Sequence, residues 1–382
     1  MNIINYIFST LRRFAVTAVF IVFAMLPSLP VVAQETTHDV AHEVVPHSEE
    51  QSIDIPKMIF GHIGDAYEWH FTSIDEHTHV SLPLPIIVSS HFSGWHCFLS
   101  SRFHHGHESY EGFYIAQSGP NEGKVVEIDS ETGEEIRPID FSLTKNAAAL
   151  LLNSALLIVL VLYCARQYKR RSCTDPAPRG FIGVMEMLIN MVYVDIIKSN
   201  IPQNVQRYSP YLLTAFFFIF FNNLLGLLPG SANLTGNIAV TCVLAVCTFL
   251  MVNLFGNKEY WKEILLPDVP GWLKPLMALI EIFGLFTKPI ALMIRLFANI
   301  MAGHTAILAL FGVIFIAFKE GVGLGVPMTF LSVAFCIFLN VLELLVAFIQ
   351  AYVFTMLSAV FIGMSQPMHH AHEEAHDSHL SQ

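Results

Sequence analysis

The sequence predicts an all-α polytopic membrane protein with a small β-rich region ahead of its helices. Hydrophobic residues fill 54% of the 382 positions and charged residues only 13%. Soluble domains carry about 25% charged residues, so this chain cannot cover itself with a wetted surface. Several apolar runs reach the ~20 residues that a helix needs to cross hydrocarbon. The charge is also segregated, with 19 Asp/Glu against 4 Lys/Arg in residues 34–140 and 12 against 14 in residues 141–382. Composition excludes a soluble enzyme and a disordered scaffold, and a net charge of −11 excludes a nucleic-acid binder.

Residues 1–33 place Arg12 and Arg13 before an apolar stretch, then Pro27, Pro30 and the small-residue run Val31-Val32-Ala33. That is the order of a secretory signal peptide, with an uncleaved anchor as the alternative. Either reading keeps the two arginines inside and puts the acidic block outside the cytoplasm. Residues 34–66 are acidic, His-bearing and poor in apolar side chains, the composition of a flexible segment. Residues 67–140 change to short β-branched and aromatic runs such as Leu84-Pro85-Ile86-Ile87-Val88, with a turn expected over 130–133, and predict a small β-rich extracytoplasmic domain. Twelve of the 18 histidines fall in residues 34–140. His104, His105 and His107 are the candidates there for a divalent metal, but no closed zinc-like ligand spacing accompanies them. A solvated His-rich surface is the plainer reading, and the His-rich cytoplasmic tail 367–382 is read the same way. Of the six cysteines only Cys97 lies in the exported block, so no disulfide framework is available to it.

The membrane block, 141–366, begins with a span over 143–165 that ends in Arg166, Lys169, Arg170 and Arg171, a cytoplasmic stop. Residues 180–201 repeat apolar positions at helical spacing but carry Glu186, Asn190, Asp195 and Lys198. They predict an interfacial amphipathic helix. Spans over 211–228 and 238–255 follow. Residues 276–318 and 328–364 are apolar runs without an internal polar loop, about 65 and 55 Å long as helices against a core of about 30 Å. Each could be two spans; read instead as two long, steeply tilted helices in a hairpin, they bring the membrane-crossing helices to five, with the carboxyl end inside.

Ionisable groups inside a membrane are costly and mark function by default. The first long run holds Glu281, Lys288, Arg295, Asn299 and His304, and the second holds Asn340, Glu343 and Gln350. Folded about an apex near Val322, Arg295 and Gln350 lie 27 and 28 residues from the turn, and His304 and Glu343 lie 18 and 21. One register therefore sets Arg295 opposite Gln350 and His304 opposite Glu343; mutual bonding of the helices is the competing explanation. Arginine does not deprotonate in proteins, whereas Glu281, His304 and Glu343 can exchange protons. The pattern predicts two proton half-paths with a fixed positive charge between them.

The run Glu281-Ile282-Phe283-Gly284-Leu285-Phe286-Thr287-Lys288-Pro289, followed by Arg295-Leu296-Phe297-Ala298-Asn299-Ile300-Met301-Ala302-Gly303-His304, resembles the a subunit of F-type ATP synthases. Asn222-Asn223-Leu224-Leu225-Gly226-Leu227-Leu228-Pro229 and Gln350-Ala351-Tyr352-Val353-Phe354 are similar to further patterns of that family. The resemblance covers roughly residues 143–364 and leaves the β-rich region out. It implies a membrane subunit without a catalytic site, set against a rotating ring of c subunits and held by the b-subunit peripheral stalk in a bacterial inner membrane. It also implies that Arg295 faces the ring, that Glu281 belongs to the cytoplasmic half-channel, that Asn299, His304 and Glu343 belong to the outer one, and that Gln350 sits beside Arg295. The His304/Glu343 arrangement is similar to mitochondrial subunits, and many bacterial relatives reverse it. A His-rich divalent metal transporter is the alternative, though a central arginine would repel its cargo.

Overall fold

The computed structural model describes residues 65–366 apart from 76–77, 91, 107, 117–120, 122, 129–134, 172–177, 229–233, 267–268 and 271. The expected signal segment, nearly all of the segment 34–66, the turn at 130–133 and the tail 367–382 lie outside the described residues.

Ahead of the helices stand three small antiparallel sheets. β1 (Glu68–Asp75) pairs with β2 (Thr78–Pro83). β3 (Pro85–Ser90) lies between β4 (Gly94–Leu99) and β8 (Ile139–Asp140). β6 (Val125–Ile128) lies between β5 (Phe113–Ile115) and β7 (Glu135–Ile136). The period-2 geometry of β3 turns Ile86 and Val88 inward, where they pack with Tyr67, Phe103, Phe113 and Val125. Polar groups at that interior are bonded: the Ser90 hydroxyl donates to the Glu127 carboxylate at 2.6 Å, and the Tyr67 hydroxyl donates to the Asp140 carboxylate.

The β region is tied to the first helix through backbone groups. Asp65 Oδ1 accepts from the N–H of Ala66 at 3.1 Å and of Asn146 at 3.0 Å, and the Lys145 N–H donates to the Ala66 carbonyl at 2.8 Å. Burial pushes the Asp65 carboxyl above the usual carboxylate range, against its hydrogen-bond donors and the Lys145 charge, which pull it down. Trp69 extends this joint by packing into the core of the helices.

The helices are α1 (Lys145–Lys169), α2 (Phe181–Asn190) running on into π-helical turns over Met191–Lys198, α3 (Val205–Gly226), α4 (Ile238–Leu254), α5 (Lys258–Leu265), α6 (Lys274–Glu320) and α7 (Val322–Met364). Thr144 caps α1 by accepting from the Ala147 N–H at 3.4 Å. Among the described residues four helices, α1, α3, α6 and α7, are long and apolar enough to cross a membrane; α4 is apolar but has 17 residues. The chain is therefore a mostly helical, polytopic membrane protein.

Several helix ends differ from the expected apolar runs. α3 starts at Val205, six residues before the expected 211, and carries Pro210 inside it. Proline near a helix start forfeits one backbone bond, and the Thr214 hydroxyl donates to the Pro210 carbonyl at 2.7 Å. The two long helices also run further than their apolar cores, to 47 and 43 residues, or about 70 and 65 Å. They break only at Gly321, whose φ of 135° and ψ of 155° lie in a region that glycine alone adopts readily.

α3 is the centre of the bundle, with Tyr208, Phe216, Phe217 and Phe218 all fully buried. α7 runs antiparallel against α6 and packs on α3, while α4 packs on α6. The end of α7 is fastened to three elements. The Gln366 side chain donates to Tyr208 Oη at 2.9 Å and accepts from Asn204 at 2.9 Å, and the Asn257 N–H donates to the Ser365 carbonyl at 3.0 Å. Gly363 lets this end close, because a Cβ there would lie 2.3 Å from the Asn200 carbonyl oxygen. The two long helices otherwise remain open: 17% of the most apolar window of each is buried, against 78% for α3. A surface of that size and polarity needs lipid or a partner against it.

Candidate functional site

The polar residues of the hairpin are positioned by the apolar residues beside them. Leu292, Leu296 and Ile300 are buried at four-residue spacing and fix one face of α6 to the bundle. Arg295 and Asn299 stand on the adjoining exposed flank. On α7 the buried face carries Glu343, Ala347, Gln350, Ala351 and Phe354.

Two contacts join these faces. Asn299 Nδ2 donates to Gln350 Oε1 at 2.8 Å, and His304 Nε2 stands 3.5 Å from Glu343 Oε1. Both Glu343 carboxylate oxygens are buried without a hydrogen bond among the described residues, so the histidine is a close neighbour and not yet a bonded one. The carboxyl lies this deep because position 303 is glycine: a Cβ there would come within 2.9 Å of Glu343 Oε1. The Arg295 side chain has no hydrogen bond or ion pair with any described residue and stands on the exposed flank. The direct partner of Gln350 is thus Asn299, one turn from Arg295, and not Arg295 itself. Counting residues from an apex fixes depth along the axes, whereas the angle around each helix selects the partner.

Behind Glu343 lies a cluster of buried amides for which the sequence reading gave no geometry. Asn153 Nδ2 donates to Asn222 Oδ1 at 3.1 Å, Asn222 Nδ2 to the Phe218 carbonyl at 2.8 Å, and Thr235 Oγ1 to Asn223 Oδ1 at 2.6 Å. Asn223 Nδ2 reaches the Ala347 carbonyl at 3.5 Å, one helical turn from Glu343. Buried amides therefore join α1 to α3 and α3 to the backbone of α7, while the Glu343 carboxyl itself takes no bond from them.

Glu281 is not brought to this pair. It lies 23 residues before His304, about 35 Å along α6. There it lines a cleft of about 490 Å³ with Tyr260, Ile264, Leu285, Lys288 and Met364. A second lobe of about 360 Å³ shares Tyr260, Leu285, Lys288 and Met364 and reaches Thr248, Asn253 and Leu292. The Lys288 ammonium stands 5.4 Å above the Phe361 ring centroid. Beyond the inner lobe the Tyr211 and Thr248 hydroxyls are 2.8 Å apart, and Thr248 lies 3.4 Å from Ser358. The sequence offered no signal for this cleft, because α4, α5, α6 and α7 supply its walls from distant positions.

Chemically, the hairpin holds two separated sets of proton-exchanging side chains and, between them, a guanidinium that keeps its charge. Among the described residues no group of three or more His, Cys, Asp or Glu side chains converges as metal ligands. His104, His105 and His107 lie outside the described side chains.

Comparison with known proteins accounts for most of the chain. A family profile described as ATP synthase A chain matches residues 148–363, and one described as Domain of unknown function (DUF8433) matches residues 58–141. ATP synthase subunit a of Chloroherpeton thalassium is 42% identical over 246 residues, covering 63% of this chain and 72% of that one. The subunit a of Myxococcus xanthus is 44% identical over 262 residues, 65% of this chain and 82% of its own. That of Chlorobium phaeobacteroides is 42% identical over 242 residues, 62% and 68% respectively. With the profile spanning the whole helical bundle and its hairpin, this chain belongs to the ATP synthase A chain family.

Proposed function

We propose that Arg295 is the fixed charge separating two proton half-channels, with Asn299, His304, Glu343 and Gln350 on the outer one and Glu281 on the cytoplasmic one. A chain of this family is a multi-pass bacterial inner-membrane subunit that translocates protons and has no catalytic centre of its own. It works with the c-subunit ring and the b-subunit stalk, so that proton flow drives ATP synthesis in the rest of the complex. The divalent metal transporter considered from the histidine content is not supported by that membership.

The observation that carries the assignment is the guanidinium without a partner among the described residues, set on the open flank of the hairpin beside the Asn299–Gln350 bond. A proton enters past the buried amides to His304 and Glu343 and passes to a ring carboxylate, which turns neutral into lipid. When that carboxyl comes round to Arg295 it gives up its proton toward Glu281. Each charge gains about 2.3 kcal/mol per 100 mV. Arg295 must meet the ring in hydrated space, since a dry ion pair costs several kcal/mol to break and would stall rotation.

The same reading gives five membrane-crossing helices, counting α4, with α6 and α7 steeply tilted because about 70 and 65 Å exceed a core of about 30 Å. α2 and the π-helical turns lie at the cytoplasmic interface, where Phe181, Val184, Met187 and Val194 offer an apolar face. The β region stands outside and the carboxyl end inside. Arg295→Ala in the complete complex should abolish coupled ATP synthesis in energised vesicles; native synthesis by that variant refutes the assignment.

A further inference from the structure

We propose that Lys288 is a further charge of the cytoplasmic proton path, making the neck of the cleft positive, so that metal cations are held out of it and a proton that has passed the neck is driven on toward Glu281. This rests on the roles proposed above for those two residues. Glu281, Lys288 and Arg295 follow one another at seven-residue spacing. Seven residues return a helix to within ~20° of the same face, so the three share one stripe, each about 10.5 Å from the next along the axis. From the middle of the hairpin toward α5 the charges run plus, plus, minus.

The two cavities give that order a location. Among the described residues Lys288 is the one cation that lines the lobes, and lines both, while Glu281 is the one carboxylate and lines the outer lobe. In the inner lobe the Asn253 amide oxygen is buried without a hydrogen-bond partner among the described residues. A buried polar atom facing empty space is where an ordered water is expected. The Lys288 ammonium is held over the Phe361 ring by a cation–π contact, and no described carboxylate pairs with it. Its charge is therefore free to act on the cleft. A positive neck repels mobile cations and lowers the residence of a proton there, while Glu281 at the mouth attracts one. The proton leaves by transfer along water to the Glu281 carboxylate and then to the solvent, with no change in covalent bonding elsewhere.

The test measures the potential in the cleft directly. Leu285→Cys places a thiol in both lobes, one turn from Lys288. In vesicles holding the complete complex, the thiol is modified with anionic and cationic methanethiosulfonates of equal size, and the site is read by mass spectrometry. With Lys288 present the anionic reagent should react faster. Lys288→Met, which keeps the stem over Phe361 but removes the charge, should move the rate ratio toward the cationic reagent by about tenfold at a separation near 5 Å in wet surroundings. Lys288→Arg, which keeps the charge, should leave the ratio unchanged. An unchanged ratio in Lys288→Met, or a thiol that neither reagent reaches, overturns the proposal. Met364→Cys lines both lobes as well and replaces position 285 if that variant does not assemble. If Arg295→Ala abolishes synthesis while the Lys288→Met ratio stays native, only the role of Lys288 falls.

Discussion

Gly303→Ala separates the position of the Glu343 carboxyl from the stability of the hairpin. The added methyl would stand 2.9 Å from Glu343 Oε1 and 3.1 Å from its Cδ. Comfortable contact begins near 3.5 Å, so the carboxyl must retreat by about half an ångström. It is the far end of a flexible side chain, and the helix itself gains about 1 kcal/mol when alanine replaces glycine. Thermal stability of the assembled complex should therefore be unchanged or slightly raised. Proton exchange should not be spared. His304 and Glu343 already stand 3.5 Å apart, and a misplacement of 1 Å costs reacting groups about a hundredfold, so half that should cost roughly tenfold. The assay is ATP synthesis under an imposed proton gradient, normalised to assembled complex, with Glu343→Gln as the reference for full loss. Native synthesis by Gly303→Ala, beside a crippled Glu343→Gln, would falsify the claim that this carboxyl must lie against α6.

Further outcomes follow from the packing outside the hairpin. Gly363→Ala should destabilise the complex by about 1–3 kcal/mol, because its methyl would meet the Asn200 backbone carbonyl at 2.3 Å and no flexible side chain can give way there; the melting temperature of the complex reads it. Asp65 carries a raised carboxyl, so its contribution to anchoring the β region is present below the unfolded value near 3.8 and is lost as pH rises through the higher folded one. Hydrogen exchange at the start of α1 should accordingly speed up across that window, and Asp65→Asn should flatten the response.

The long hairpin was legible because two apolar runs without a polar interruption leave little besides continuous helices, and the His304–Glu343 neighbourhood followed from residue counting alone. The pairing of Asn299 with Gln350 was not, since depth in a hairpin is a linear quantity and contact depends on rotation. Nor was the reason for Gly303, which is visible only when the opposing carboxyl is placed. The span over 211–228 follows from apolar content, and α3 begins earlier, at Val205, because a helix extends past its apolar run through polar residues such as Gln206 and Arg207. The cleft beside Lys288 belongs to four helices at once and leaves no trace in any one of them. Ser93, His96 and Glu111 illustrate the same limit in the β region: they are joined at 2.7 and 2.6 Å only because a strand turn and a residue at φ 52° bring them together.

The central claim is that the exposed flank bearing Arg295 faces the rotor. Ala298 lies three residues along that flank and is exposed. Ala298→Cys, paired with a cysteine one turn from the carboxylate of a ring subunit, should form a disulfide-linked product of the two chains in oxidised membranes. The same thiol reacting freely with a lipid-soluble maleimide, and giving no such product with any ring position at that depth, would contradict the account.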